Sequence, residues 1–286
     1  MKYLVTGATG HLGGMIVTEL RKLVPQADIR LGVHRIEKAT ALQAAGYDVV
    51  ALDYAAVDSM TAAMTGVDVL VYVPSLTYQV QQRIAEFENT LEAMHRANVS
   101  TSVAMSFIAD QYNNPFQMAS YYAYLPARLA GSGLNYAVVK NALYADPLVP
   151  YLPELIARHN VIYPIGDQAM SFISREDSAE AMANIAVKPY LRDRGQNYLL
   201  TMKQNYNMVE LSSIMSQVTG EQIGYAPVTL QEFADIYRSE GDGDELASMY
   251  RAAALGLMDE VTNDFQHITG HAPQGMKEYL TQHYQK

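Results

Sequence analysis

Tyr3-Leu4-Val5-Thr6-Gly7-Ala8-Thr9-Gly10-His11-Leu12-Gly13-Gly14 is the stretch whose reading decides the fold. Tyr3, Leu4 and Val5 form a short apolar run that reads as a buried strand. The glycines that follow are spaced Gly7-x-x-Gly10-x-x-Gly13. Met15-Ile16-Val17-x-x-Leu20-x-x-Leu23 then shows the spacing of a helix with one apolar face. Strand, glycine turn and helix N-terminus are the parts of a pyrophosphate-binding site. Gly7 gives the sharp turn, Gly10 lets backbone approach a phosphate, and Gly13 allows close helix–strand packing. The freed N–H groups of Gly7, Thr9, Gly10, His11 and Leu12 and the positive end of the helix dipole would face the anion.

Beyond this unit the pattern repeats. Ile29–Val33 reads as a second strand, Glu37–Ala45 as a helix, and Asp48–Leu52 as a third strand. A short helix carries Met60, Ala63 and Met64, and the apolar run Val67–Val73 is a central parallel strand. The long helix Gln79–Ala97 buries Ile84, Phe87, Leu91 and Met94. Ser102–Phe107 and Asn135–Val139 are the next strands. Alternating strands and helices imply an α/β fold with a doubly wound parallel sheet of the Rossmann type. The polar, Tyr-rich segment Ala109–Tyr124 separates strands five and six.

After Asp146 the rhythm changes. Pro147, Pro150 and Pro153 should prevent a regular helix before Leu155, and Asn160–Gly166 reads as a turn or short strand. Asp177–Val187 and Asn197–Thr201 are a helix and a last strand returning to the sheet. Val209–Val218, Leu230–Glu240, Glu245–Leu257 and Gln274–His283 are further helices, and Gly241-Asp242-Gly243-Asp244 is a mobile acidic loop. The expected division is a nucleotide-binding domain of residues 1–146 plus about 171–204, and a smaller, mainly helical substrate-side lobe of 147–170 plus 205–286.

Composition narrows the function. The chain has 286 residues, 49% hydrophobic, with a net charge of −10, which argues against a general nucleic-acid or membrane surface. No apolar run approaches the roughly 20 residues of a spanning helix. There are no cysteines, so thiolate nucleophiles and Cys-based metal sites are excluded. His267 and His271 are four apart, but Gly270 lies between them and no third ligand is near, so no metal site is expected. The first strand starts at Lys2 without a preceding signal peptide, and a cytoplasmic location is expected. Arg35 stands just past strand two, where an acid would hold the ribose 2′-OH of NAD and an arginine accommodates the 2′-phosphate of NADP. His34 precedes it and Lys38 follows one turn later. Pro74-Ser75-Leu76 follows strand four at the carboxyl edge, where open sheets bind ligands.

The glycine loop, His34-Arg35 with Lys38 and Leu42, Asp53-Tyr54 and Asn141-Ala142-Leu143-Tyr144-Ala145-Asp146 together resemble the NmrA-like atypical short-chain dehydrogenases. Within that group the chain is most similar to the bacterial NADPH:quinone oxidoreductases and triphenylmethane reductases, from residue 1 to about Thr201. The resemblance implies NADP(H) as cofactor and hydride transfer to a quinone or similar planar acceptor by a monomer or homodimer. It implies that Asp53 touches the adenine edge, and that Pro74, Ser75 and Leu76 lie against ribose and pyrophosphate. Asn141 and Tyr144 would flank nicotinamide and substrate. The alternative within the same group is a regulator that senses NADP(H) and turns over little.

The chain departs from the pattern at the catalytic position. The Tyr-x-x-x-Lys pair of ordinary short-chain dehydrogenases is expected to be missing from the chain, with Tyr124…Arg128 as its nearest approach. The resembling reductases have a His followed by Thr-Glu there. Counted back from Gly133 and Tyr136, that His falls on Tyr122, with Leu125-Pro126 in place of Thr-Glu. Tyr122 is therefore the positional candidate for a catalytic group, in a segment whose helix should begin only at Pro126. Tyr112, Tyr121, Tyr122, Tyr124, Tyr144 and Tyr163 would line a flat aromatic pocket or simply sit half-buried between lobes.

Overall fold

The computed structural model describes residues 1–240 and 243–285. Its frame is a parallel sheet of seven strands. These are β1 (Tyr3–Thr6), β2 (Ile29–Val33), β3 (Asp48–Ala51), β4 (Val69–Tyr72), β5 (Thr101–Phe107), β6 (Asn135–Asn141) and a last strand, Gln196–Leu200. The spatial order is β3-β2-β1-β4-β5-β6-last strand. The order reverses at β1, which pairs Val5 with Leu31 of β2 on one side and with Val71 of β4 on the other. Open α/β sheets leave a crevice at such a reversal, outside the carboxyl ends of the strands. The loops after β1 and β4 flank it. β1 and β4 are wholly buried, as strands covered on both faces must be.

The helices between these strands are α1 (His11–Leu23), α2 (Thr40–Ala44), α3 (Val57–Met64), α4 (Val80–Ala97) and α5 (Ala119–Ala130). Two more, α6 (Leu148–Arg158) and α7 (Arg175–Val187), follow β6. Helix α1 buries Leu12, Ile16, Val17 and Leu20 and packs on α7, so the helix behind the glycine loop rests on a second helix as well as on the sheet. One continuous apolar cluster runs from Leu4, Tyr72 and Phe87 under the sheet to Tyr163, Phe233 and Tyr250 in the smaller lobe.

Several expectations need correction. The second helix is a 3-10 turn, Ile36–Ala39, followed by a single turn of α-helix, because only Ala39 of this stretch is buried. Helix α5 does not begin at Pro126; it runs through it. The missing N–H forfeits a hydrogen bond, but Tyr121, Tyr122, Leu125 and Leu129 are buried on that helix. Each such side chain contributes about 1.5–3 kcal/mol on burial. Likewise α6 forms despite its prolines. Pro147 is its N-cap and Pro150 lies in the first turn, where no N–H is needed, while Leu148, Leu152 and Leu155 share the buried face.

Of the expected acidic loop, Gly241 and Asp242 lie outside the described residues, while Gly243 and Asp244 open the helix Gly243–Ala254. A Cβ on Gly243 would lie 2.2 Å from the Ala234 carbonyl oxygen, so the helix Leu230–Tyr237 and this one meet there on bare backbone. Asp264–Thr269 belongs with the sheet rather than the lobe. Asp264 accepts a hydrogen bond from Leu199 N at 2.8 Å, and Phe265 and Ile268 join the apolar cluster around β1 and α7.

Candidate functional site

The carboxyl ends of β1 and β4 are locked together before the site begins. Thr6 is wholly buried; its hydroxyl donates to the Val73 carbonyl at 2.9 Å and accepts from Val73 N at 2.8 Å. Tyr54 donates to the same carbonyl at 2.6 Å. Between these fixed ends the glycine loop turns. Gly7 has φ +62°, a left-handed conformation glycine adopts freely. Gly10 N donates to Gly7 O at 2.8 Å, and Gly14 N to Gly10 O at 2.9 Å. A Cβ on Gly13 would sit 2.2 Å from Gly7 O, so the loop folds directly onto the first turn of α1.

The N-terminus of α1 fits a bound pyrophosphate. Its N-cap, Gly10, supplies no side-chain bond, and no acid stands in the first turn. Among the described residues the amides of His11, Leu12 and Gly13 find no acceptor. Arg21 and Lys22 complete the dipole at the other end. Thr9 is exposed at the loop tip. Arg35 is exposed past β2, next to the loop's own strand, and among the described residues it makes no ion pair. Asp53 is not an N-cap, since Ala56 holds that position in α3. Its Oδ1 accepts from Ala55 N at 2.9 Å, a local turn that leaves the carboxylate partly exposed.

From the loop a cleft of about 350 Å³ runs across the switch point. Gly7, Gly10, His11, Leu12 and Gly13 line one end, and Pro74, Ser75 and Leu76 one wall. Met105, Met118, Tyr122, Tyr144, Arg83, Arg175 and Glu245 line the rest. The Ser75 hydroxyl donates to Glu86, whereas Leu76 is 90% exposed. Tyr78, Tyr144 and Glu245 also line a second cavity of about 210 Å³, walled by Tyr151, Tyr163, Phe233, Tyr237 and Tyr250. The two cavities thus adjoin, one on the sheet and one on the smaller lobe.

Tyr122 lies in the cleft wall, 8% exposed, with its ring against Phe107, Phe116 and Tyr121. Its hydroxyl accepts from Arg83 Nη1 at 3.4 Å, and burial holds its pKa above the ordinary tyrosine value, against the pull of the Arg83 charge. The buried Tyr144 hydroxyl, near Ser178, meets the hydrogen-bond criterion with no partner among the described residues, and burial raises its pKa strongly. The Arg175 guanidinium lies 5.2 Å from its ring centroid and 3.7 Å from the Asp146 carboxylate. Asn141 is wholly buried away from the cleft lining. Its Oδ1 accepts from Ser178 at 2.7 Å, which ties the end of β6 to α7. Of the other tyrosines, Tyr163 reaches the second cavity, Tyr121 is core, Tyr124 bonds Glu88, and Tyr112 is fully exposed.

Contrary to the expectation that no such pair occurs, the chain has one Tyr-x-x-x-Lys spacing, Tyr136 to Lys140, but it lies on β6, where four residues span about 13 Å. Lys140 pairs with Asp110 at 2.5 Å, outside the cleft. The composition and pattern reading missed Arg83 and Glu245. Arg83 had a signal: it falls four residues before Phe87 on the buried stripe of α4, where a charge needs a reason. Among the described residues no cluster of three metal-ligating side chains occurs and no helix is long and apolar enough to cross a membrane.

The family model described as NAD(P)H-binding matches residues 7–189, more than half of the chain. The chain belongs to this NAD(P)H-binding family. It is 28% identical over 252 residues to quinone oxidoreductase 2 of Escherichia coli, covering 88% of this chain and 86% of that one. The crystal structure of the E. coli NADPH-dependent quinone oxidoreductase complexed with NADPH superposes with a TM-score of 0.89 at 27% identity, over 99% of both chains. Citrobacter triphenylmethane reductase gives 0.90 at 25%, over 99% of both. A Staphylococcus aureus protein described as a nucleoside-diphosphate-sugar epimerase gives 0.93 at 38%, over 98% of this chain and 100% of that one. The protein is an NAD(P)H-dependent oxidoreductase, and its relatives include quinone reductases and NmrA-like oxidoreductases.

Proposed function

We propose that the protein is a cytoplasmic reductase that uses NADPH to reduce a quinone or similar planar acceptor. The observation that carries this reading is the junction of the two cavities: a cleft that starts at the uncapped N-terminus of α1 opens, past Tyr78, Tyr144 and Glu245, into a tyrosine-walled cavity. The glycine-loop end of the cleft suits a dinucleotide, and its tyrosine end, continued by the second cavity, suits a flat ring. The amides of His11, Leu12 and Gly13 hold the pyrophosphate, and Arg35 takes the 2′-phosphate. Pro74, Ser75 and Leu76 border the ribose, and Asp53 the adenine edge. NADPH, when bound, supplies the hydride. The tyrosine rings orient the acceptor, and most of the rate enhancement comes from this positioning. Tyr122, kept protonated by burial, is the candidate donor to the acceptor's oxygen.

Nucleotide-sugar epimerisation, the activity in the name of the S. aureus relative, finds no Tyr–Lys pair among the described residues that line this cleft. The same gap favours one second reading, an NADP(H) sensor with little turnover. Loss of NADPH absorbance against a panel of quinones and dyes separates them. The reductase reading expects turnover with planar quinones. Tight NADPH binding with no turnover across the panel would establish the sensor.

A further inference from the structure

Arg83 is 7% exposed, yet it lines the cleft. Its Nη1 donates to the Tyr122 hydroxyl at 3.4 Å, a long bond, and its Nη2 to the Thr77 carbonyl. Its Nε is buried with no partner among the described residues, and the guanidinium lies 5.4 Å from the Tyr121 ring centroid. No carboxylate among the described residues pairs with it. The other charges on the cleft wall are placed differently. Arg175 is committed to Asp146, and Glu245 stands where the cleft meets the second cavity. Nearby Glu86 accepts from Ser75 and from Gln82 Nε2. A buried cation held only by neutral acceptors is costly unless an anion completes it.

Building on the reductase reading, we propose that Arg83 is the anion-stabilising residue of the acceptor site, and that the site is built for acceptors whose reduction places negative charge on an oxygen. When a quinone gains the hydride, a π pair of its conjugated carbonyl system moves onto a carbonyl oxygen. The resulting enolate or phenolate sits against the Arg83 guanidinium and then takes its proton from water, directly or through Tyr122. NADPH becomes NADP⁺, so electrons and charge balance. A cationic triphenylmethane dye develops no such oxyanion, because the hydride neutralises its central carbon. For it, the guanidinium is at best neutral and at worst repulsive.

Arg83→Met removes the charge and keeps most of the side-chain volume. Fixed donors at a developing oxyanion are worth on the order of 10²–10³ in rate. Arg83→Met should therefore lose about a hundredfold in kcat for 1,4-benzoquinones, leave the Kd for NADPH within about threefold, and leave turnover of a cationic dye unchanged or raised. Arg83→Lys should recover part of the quinone rate. A readout without turnover uses 4-nitrophenol with NADP⁺ saturating, so that the glycine loop is filled. The parent should bind the phenolate and lower the ligand's pKa by ~1 unit or more, Arg83→Lys should keep part of that shift, and Arg83→Met should abolish it. Thermal melts of both variants separate misfolding from lost charge, since Arg83 also holds the loop at Thr77.

The proposal is overturned if folded Arg83→Met ionises nitrophenol as the parent does. Equal losses for quinone and dye, or a loss that appears in the NADPH Kd instead, overturn it too. A parent that shifts nitrophenol through Arg83 but reduces no quinone supports the anion site and refutes the reductase reading alone.

Discussion

At the glycine-loop end of the cleft, neighbours in sequence are neighbours in space: Gly7, Gly10 and Gly13 contact one another through backbone, within one turn and the first turn of α1. At the tyrosine end the walls come from far apart. Arg83 stands on α4, Tyr122 on α5, Tyr144 past β6, Arg175 at the start of α7, and Glu245 on the helix Gly243–Ala254. The first end depends on a left-handed turn at Gly7 and on a backbone approach at Gly13 that leaves no room for a Cβ, so it has little freedom to vary. The second depends on packing of side chains that many sequences satisfy. Recognition of the shared cofactor should therefore be brittle to substitution, and recognition of the acceptor graded.

The most severe test of brittleness is Gly13→Ala. Its Cβ would lie 2.2 Å from Gly7 O, backbone that cannot yield without unfolding the loop. NADPH binding should fall below detection by calorimetric titration, and the melt should drop by the equivalent of about 1–3 kcal/mol. Near-parental binding would show that the loop is not the anion site. Gly10→Val sharpens the point. A Cβ there would lie 3.2 Å from Gly7 O, a contact a small shift relieves, so the melt should move little. The branches would still fill the space of the pyrophosphate, and both NADPH and NADH should fail to bind.

Arg35→Ala asks whether brittleness extends past the loop. A charge-assisted hydrogen bond contributes about 1.5–3 kcal/mol, so NADPH should weaken by about 10- to 150-fold while NADH changes little. Equal losses for both cofactors would remove Arg35 from the site.

The smallest effect is expected at the tyrosine end. Tyr122→Phe should reduce kcat for quinones by less than about tenfold, because Arg83 remains and water can protonate the product; a positioned acid for a harder reduction contributes about 10²–10⁴-fold. A hundredfold loss with NADPH affinity intact would make Tyr122 the essential acid. Since burial raises its pKa, the group stays protonated through neutral pH and well into alkali. The parent should then show no alkaline limb between about pH 7 and 9 from this hydroxyl.

The sequence by itself determined the α/β frame, the position of the glycine loop and the arginine past β2. It could do so because each is written in short range. Periodicity marks a buried strand or helix face, and a glycine at Gly7 or Gly13 is demanded by backbone that lies within a few residues of it. It misjudged the prolines in α5 and α6, because burial of Tyr121, Leu125 and Leu152 outweighs one lost hydrogen bond, and that burial depends on residues distant in the chain.

Only the tertiary structure decided the tyrosine end of the cleft. It set Tyr122 beside Arg83, left the Nε of that guanidinium without a partner among the described residues, brought Glu245 across from the smaller lobe, and withdrew Asn141 into a clasp with Ser178. Nothing in local spacing encodes these meetings. They follow from how helices pack over the carboxyl edge of the sheet, where a side chain's role depends on what the rest of the chain places opposite it.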